Sequence, residues 1–191
     1  MSNQPVNRVI IVGGGTAGWM AAAAISKLIG KNINVKLVES DAIGTVGVGE
    51  ATIPTMLTLH KLLKIDERDF MAAVQGTFKL GISFENWRNV DENYIHSFGF
   101  TGKDCWAAGF QHFWLKGKQQ GISGEFGDYC NELQAAKNNK FAVLPNNGMN
   151  YAFHMDAGLY AKYLRKIAEQ HGCQRIEGKI SDVITHSGTG Y

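Results

Sequence analysis

The chain has 191 residues, of which 45% are hydrophobic, and a formal net charge of +2. This length suits one domain with a sizeable core, or part of a larger protein. Positive and negative residues are dispersed along the sequence, so neither nucleic acid nor a membrane surface is expected as the main partner. The expected partner is a small molecule.

The cysteines and histidines exclude further classes of protein. Cys105, Cys130 and Cys173 are odd in number and widely spaced, so they match neither a disulfide framework nor a CxxC metal site and suit a reducing cytoplasm. The six histidines form no i, i+4 pair, so no metal site is predicted. The apolar run near the start is too short for a signal peptide. We therefore expect a cytoplasmic protein.

The first motif, RVIIVGGGTAGWMAAAAISKLIG, reads as a strand, a tight turn and a helix. Gly13, Gly15 and Gly18 complete a GxGxxG pattern, in which the first glycine permits the turn, the second admits a pyrophosphate and the third lets the helix pack closely. Thr16 and Ala17 begin the helix, and their amides would point at the phosphates. The motif predicts an α/β fold with a dinucleotide site.

A second predicted strand, INVKLVES, supports this interpretation. Glu39 ends it, 21 residues after Gly18, where the motif requires a carboxylate for the ribose hydroxyls. Beyond it, Thr55 is predicted to cap one helix and Asp66 another. Periodicity alone does not distinguish NAD from FAD.

The stretch TFKLGISFENW alternates in the manner of a half-buried strand. Phe78, Leu80, Ile82 and Phe84 occupy one predicted face, and Lys79 leads the other. Such a lysine is either solvated or aimed into a cavity, and the stretch alone leaves both open.

The remaining sequence divides into an aromatic-rich segment and a helix followed by a strand. Residues 88–150 have weak periodicity and suit either a pocket for an aromatic compound or ordinary core. Asp156 is predicted to cap an amphipathic helix that stops at Gly172, and CQRIEGKISDVITHSG reads as strand material.

Taken together, VGGGTAGW, GVGEATIP, TFKLGISFENW, QHFWLK and YAFHMDAGLYAKYLRKIA resemble the amino-terminal part of flavin-dependent tryptophan halogenases. The resemblance implies a Rossmann-like FAD-binding fold of the glutathione-reductase type with an inserted substrate region. It also implies that FADH2 from a separate flavin reductase, oxygen and a halide ion yield hypohalous acid, which passes through an internal tunnel to an indole.

Specific residues follow from this resemblance. Lys79 would be the catalytic residue that handles hypohalous acid. The FAD contacts would comprise Gly13, Gly15, Thr16, Ala17, Gly18, Glu39, Gly49, Ala51 and Ile180. Three segments follow as well: a dinucleotide-binding core at 1–87, an aromatic-rich insertion at 88–150, and a return helix and strand at 151–191.

Two family features, a WxWxIP motif and a late glutamate that works with the lysine, do not occur in this sequence. We therefore expect the chain to end before the FAD domain is complete and to be inactive alone. Two alternatives remain open. One is an aromatic-ring monooxygenase, which would need no halide, and the other is a catalytically incomplete FAD-binding fragment.

Overall fold

The computed structural model describes residues 5–44, 50–143, 148–185 and 187–188. In chain order, its strands and helices are β1 (Arg8–Val12), α1 (Thr16–Leu28), β2 (Asn34–Glu39), β3 (Glu50–Ala51), α2 (Thr55–Leu62), α3 (Glu67–Val74), β4 (Thr77–Lys79), β5 (Gly81–Glu85), β6 (Asn93–Ser97), α4 (Phe110–Gln119), α5 (Asn131–Lys137), β7 (Ala152–Met155), α6 (Ala157–Gln170) and β8 (Gln174–Glu177). None of the helices in these ranges combines the length and apolar character needed to cross a lipid bilayer.

The chain forms two compact units. The first comprises residues 1–50, 59–76 and 155–191, and the second comprises residues 51–58 and 77–154. The sequence had instead grouped 1–87, 88–150 and 151–191. That grouping stays a prediction about domains, but the structure assigns the Lys79 strand to the same compact unit as the aromatic-rich segment 88–150.

A parallel sheet of order β1-β2-β8 organises the first unit. The β1–α1–β2 connection confirms the predicted strand, turn and helix. Helix α1 packs against α6, and Trp19, Leu37 and Leu164 are almost fully buried. The arrangement is an α/β fold with a Rossmann-like βαβ unit.

Side-chain caps fix the start of two helices as predicted. Asp66 accepts hydrogen bonds from the N–H groups of Arg68 and Asp69 at 2.9 and 3.0 Å, and α3 follows it. Asp156 accepts one from the N–H of Leu159 at 2.7 Å at the start of α6. Each carboxylate satisfies amides that have no partner within the helix. Thr55 is itself the first residue of α2, rather than the residue before it.

The predicted single strand at 77–87 is wrong in two respects. It is divided at Leu80: β4 pairs with β7, and β5 pairs with β6, both antiparallel. Burial at its start is also reversed, because Phe78 is 37% exposed and Lys79 only 6% exposed. Leu80 is buried as well, at 9% exposed, so two neighbouring residues are inside at the point where the stretch is divided.

The strand predicted after α6 is shorter than expected. Gly172 ends that helix with φ +95°, as predicted, but β8 stops at Glu177, and Ile180 lies beyond it in irregular structure. Adjacent pairing explains the limit, because β8 follows β2 only as far as Glu39.

Candidate functional site

The first unit contains a turn that is shaped by its glycines. Gly13 has φ +105°, a conformation that favours glycine, and its N–H donates to the Val38 carbonyl at 2.9 Å. A Cβ at position 18 would lie 2.0 Å from the Gly13 carbonyl oxygen. At position 15, by contrast, a Cβ would meet no atom within 4 Å. The backbone conformation therefore requires glycine at position 13, and close packing requires it at position 18. Gly15 instead borders open space.

That open space lies at the start of α1. Gly15 is the N-cap residue and offers no side chain to the first amides, which include those of Thr16 and Ala17. Such amides have no acceptor within the helix. The first turn carries no acidic residue, so the positive end of the helix dipole is not neutralised there. The turn therefore fits a pyrophosphate.

Glu39 ends β2 next to this turn, and its carboxylate is firmly held. Arg175 Nε donates to Oε1 at 2.7 Å, and Trp19 Nε1 donates to Oε2 at 3.3 Å. The Arg165 guanidinium lies 3.8 Å from Oε1. A Cβ at Gly14 would lie 1.4 Å from Oε2, so the carboxylate rests directly on the glycine turn.

A cavity of about 360 Å³ adjoins this carboxylate. Its lining includes Gly14, Trp19, Glu39, Asp41 and Arg165. A fixed carboxylate beside a glycine turn can accept the hydroxyl hydrogens of a ribose. The glycine turn and Glu39 therefore come together as the sequence predicted, with room for a nucleotide beside them.

The other predicted cofactor contacts lie outside this turn. Ala51 is exposed at the end of β3 in the second unit, and Ile180 is half-buried after β8 in the first. Gly49 lies outside the described residues. Contacts from Ala51, Gly49 and Ile180 to a cofactor stay predictions.

Lys79 occupies the second unit and is directed to neutral partners. Its Nζ donates a hydrogen bond to the Thr52 carbonyl at 3.0 Å and lies 5.4 Å from the centre of the Phe98 ring. Burial lowers the pKa of the Lys79 amine, because an ammonium group loses its hydration there. Loss of a proton is therefore easier for this amine than for a solvated lysine.

A cavity of about 410 Å³ adjoins Lys79, with walls that include Leu80, Ile95, Phe141 and His154. His154 lies on the same face of the β4–β7 pair, since it opposes Thr77. Burial and the positive charge of Lys79 lower the pKa of His154. Both cations are thus disfavoured around one partly apolar cavity.

Sequence reasoning missed the residues that hold Glu39 and Lys79. Trp19 and Arg175 reach Glu39 only because β1, β2 and β8 pair in parallel. Thr52 and Phe98 reach Lys79 through contacts that span 27 and 19 positions of the chain. No local pattern reports such contacts.

The aromatic residues of 88–150 mostly pack on one another. Phe110 contacts Phe126 and Tyr129, with ring centres 6.0 and 5.1 Å apart, and Trp114 contacts Phe126 at 5.0 Å. Trp106 is instead fully exposed. Phe126 and Tyr129 remain 37% and 41% exposed, so this cluster is not part of the buried core, and both uses of the segment stay predictions.

The glycine turn, the Glu39 carboxylate beside it and the parallel sheet are typical of dinucleotide-binding α/β proteins. The tryptophan halogenase family model matches residues 8–191. The chain belongs to the tryptophan halogenase family.

Solved structures agree with this assignment. The chain is 64% identical to Xcc4156, a flavin-dependent halogenase from Xanthomonas campestris, with a TM-score of 0.92 over 98% of this chain and 38% of that one. It is 38% identical to BrvH, a flavin-dependent halogenase from Brevundimonas sp. BAL3, with a TM-score of 0.85 over 97% and 38% of the two chains.

A further relative has a substrate in its name. Over 92% of this chain and 38% of the relative, the chain is 32% identical to 7-chloro-L-tryptophan 6-halogenase KtzR from Kutzneria sp. (strain 744). The chain therefore spans a little over a third of the length of the relatives it matches.

Proposed function

We propose that the full-length protein is an FAD-dependent halogenase that chlorinates or brominates an electron-rich arene, such as tryptophan or another indole. The burial of the Lys79 amine carries this proposal. A lysine is rarely buried without a charged partner, and this one is 6% exposed and contacts a backbone carbonyl and a phenyl ring. Such a residue is a candidate for chemistry.

The first unit would bind the cofactor. The glycine turn and the amides of Thr16 and Ala17 would hold the pyrophosphate, and Glu39 would accept from the adenosine ribose. When bound, reduced FAD supplies the two electrons with which oxygen converts halide into hypohalous acid. Similarity to Xcc4156 and BrvH, both flavin-dependent halogenases, supports FAD over NAD.

Lys79 would hold hypohalous acid by a hydrogen bond, or react with it. In the second case the neutral amine exchanges one N–H for an N–halogen bond, and the displaced oxygen leaves as water. The arene carbon then takes the halogen and loses its proton, and the amine recovers its N–H. Burial favours both routes, because it lowers the pKa of the amine and excludes competing water.

The full-length protein would obtain FADH2 from a separate flavin reductase and would work in the cytoplasm. The chemistry requires reduced flavin and halide but no metal. A reducing compartment suits the three cysteines, which are not joined by disulfides.

The test is to incubate the full-length protein with reduced FAD, oxygen, bromide and a panel of indoles, and to identify products by mass spectrometry. Brominated arene that requires both bromide and reduced flavin supports the proposal. Oxygenated product that forms without halide would instead establish a monooxygenase. Flavin binding without product from any indole would contradict the proposed activity and leave flavin binding as the function.

A further inference from the structure

A buried carboxylate lies behind the lysine site in the second unit. Glu132, in α5, is only 7% exposed. Its Oε1 accepts a hydrogen bond from the backbone N–H of Asn150 at 2.8 Å. Asn150 lies two residues before Ala152, which opposes Lys79 across the β4–β7 pair. One oxygen of Glu132 therefore fixes the start of the strand that pairs with the lysine.

The other oxygen fixes a second segment. A Cβ at Gly99 would lie 1.8 Å from Oε2 of Glu132, so the carboxylate rests against the backbone there. The Cys130 thiol donates to the same oxygen over 3.9 Å and lies 3.2 Å from the Ser97 hydroxyl. The Ser97 hydroxyl in turn accepts from the Gly99 N–H at 3.0 Å. Glu132 is thus connected to the corner formed by residues 97–99.

This corner carries the ring that covers the amine. Phe98 lies between Ser97 and Gly99, and its ring centre is 5.4 Å from Lys79 Nζ. Its backbone N–H donates to the carbonyl of Leu80, next to Lys79, at 2.9 Å. The segments that carry Phe98 and the start of β7, which both lie next to Lys79, therefore contact the same carboxylate.

Desolvating a carboxylate is costly, and removing one partner of a buried hydrogen bond leaves the other unsatisfied. Alanine at 132 would leave the Asn150 N–H without its acceptor and a space against Gly99. We propose that Glu132 is a positioning residue, which holds Phe98 and β7 around the Lys79 amine. This inference rests on the proposed halogenase function.

The expected consequence of this positioning is that oxygen consumption stays coupled to the formation of halogenated product. While Phe98 and the start of β7 are held in place, the Lys79 amine remains shielded from water and keeps one orientation. If they loosen, water reaches Lys79, and hypohalous acid escapes before it meets the arene. Glu132 would then matter for product yield while leaving the glycine turn, which belongs to the other unit, unaffected.

The experiment compares Glu132→Ala, Glu132→Gln and the control Glu125→Ala in the full-length protein. Glu125 is another acid of the same unit, with a side chain 79% exposed and paired with Lys118 at 2.6 Å. Three quantities are measured: FAD bound, halogenated arene formed per oxygen consumed, and the rate at which acetic anhydride labels Lys79 relative to Lys118, read by peptide mass spectrometry.

Glu132→Ala should lower product per oxygen by about tenfold or more and label Lys79 several times faster, with FAD binding unchanged. Glu132→Gln should retain most of the coupling, because its amide oxygen still accepts from Asn150. Glu125→Ala should match the wild type in oxygen coupling and in FAD binding. The Glu125→Ala substitution also removes the partner of Lys118. In that variant, Lys79 labelling is therefore normalised to the lysines other than Lys118.

Unchanged labelling and coupling in Glu132→Ala would overturn the inference, even if the variant unfolded at a lower temperature. If Glu132→Ala fails to fold, Gly99→Ala displaces the same carboxylate from the other side, and unchanged labelling and coupling in that variant would overturn it equally. A wild type that makes no halogenated product contradicts the proposed function instead, and the Lys79 labelling rates still decide the positioning role.

Discussion

Lys79 Nζ lies 3.0 Å from the carbonyl oxygen of Thr52 and donates a hydrogen bond to it. Thr52 is tied in turn to β7: its N–H and its hydroxyl both donate to the Phe153 carbonyl at 3.0 Å, and the Phe153 N–H donates to the Thr52 hydroxyl at 2.9 Å. The acceptor of the amine is therefore immobilised. Because a carbonyl bears no net charge, it orients the amine without the negative charge that would raise its pKa.

Replacing Lys79 should separate oxygen consumption from halogenation in the full-length protein. Lys79→Ala and Lys79→Met should lower halogenated product by roughly two orders of magnitude or more, because no amine remains to hold the halogen. Lys79→Arg should fail too, since a guanidinium stays charged. Oxygen uptake by reduced FAD should continue, because the predicted cofactor contacts at the glycine turn belong to the other unit. Product and oxygen uptake are measured in the same assay.

Lys79→Met controls for folding, because it fills nearly the same buried volume without a nitrogen. Its flavin content and thermal unfolding should match those of the wild type. Normal yields of halogenated arene from either apolar variant would show that Lys79 takes no part in the reaction.

Two glycines of the turn should respond differently to alanine. Gly15→Ala should fold normally, since its Cβ meets no protein atom within 4 Å, and FAD affinity should fall because the methyl group enters the phosphate space. Gly18→Ala should damage folding as well, because its Cβ would lie 2.0 Å from the Gly13 carbonyl oxygen. Flavin titration and thermal unfolding distinguish the two results. Unaltered flavin affinity in Gly15→Ala would refute the phosphate assignment.

Trp19→Phe should weaken FAD binding through Glu39. The substitution keeps an aromatic ring but removes the Nε1–H that donates to Oε2 at 3.3 Å. Loss of one such hydrogen bond, at about 1 kcal/mol, corresponds to roughly fivefold in affinity. The control is Trp114→Phe, which removes an indole donor to the Gly124 carbonyl at 3.0 Å in the other unit. If both variants bind FAD equally well, Trp19 has no role in orienting Glu39.

His60 should make the protein less stable in acid. Its Nε2 lies 3.0 Å from the Tyr160 hydroxyl, and burial lowers the pKa of His60 to about 4 from 6.5. Between those pH values the unfolded state binds the extra proton, so stability present above pH 6.5 is lost as the pH falls towards 4. The loss attributable to this group is about 3 kcal/mol.

His60→Gln removes this titration while it can still hydrogen-bond to Tyr160. Urea unfolding at several pH values between 4 and 7 measures the effect. The slope of unfolding free energy against pH should be smaller in the variant than in the wild type. Parallel curves for the two proteins would mean that His60 titrates normally in the folded state.

Local patterns predicted the elements whose determinants are local. The glycine turn follows from allowed backbone angles, and the caps at Asp66 and Asp156 follow from side chains that reach amides two or three residues away. The position of Glu39 beside the glycine turn was also predicted, because one helix and one strand fix its distance from the motif.

Features that depend on distant pairing were not predicted. Phe78 is exposed and Lys79 is buried in a stretch that is divided into β4 and β5, which pair with different strands. The role inferred for Glu132 likewise depends on contacts with Asn150 and Gly99, which lie 18 and 33 positions away. Periodicity describes one element at a time and contains no information on such partners.

The division at Leu80 also bears on how this protein can be re-engineered. One residue, Leu80, separates the strand that carries Lys79 from the β5–β6 hairpin. The turn of this hairpin exposes Trp87 and Val90, at 72% and 83%. Insertions or randomised residues in that turn would alter the hairpin's tip and leave the β4–β7 register in place. The tip is therefore a suitable position for sequence changes that leave Lys79 and its strand pairing constant.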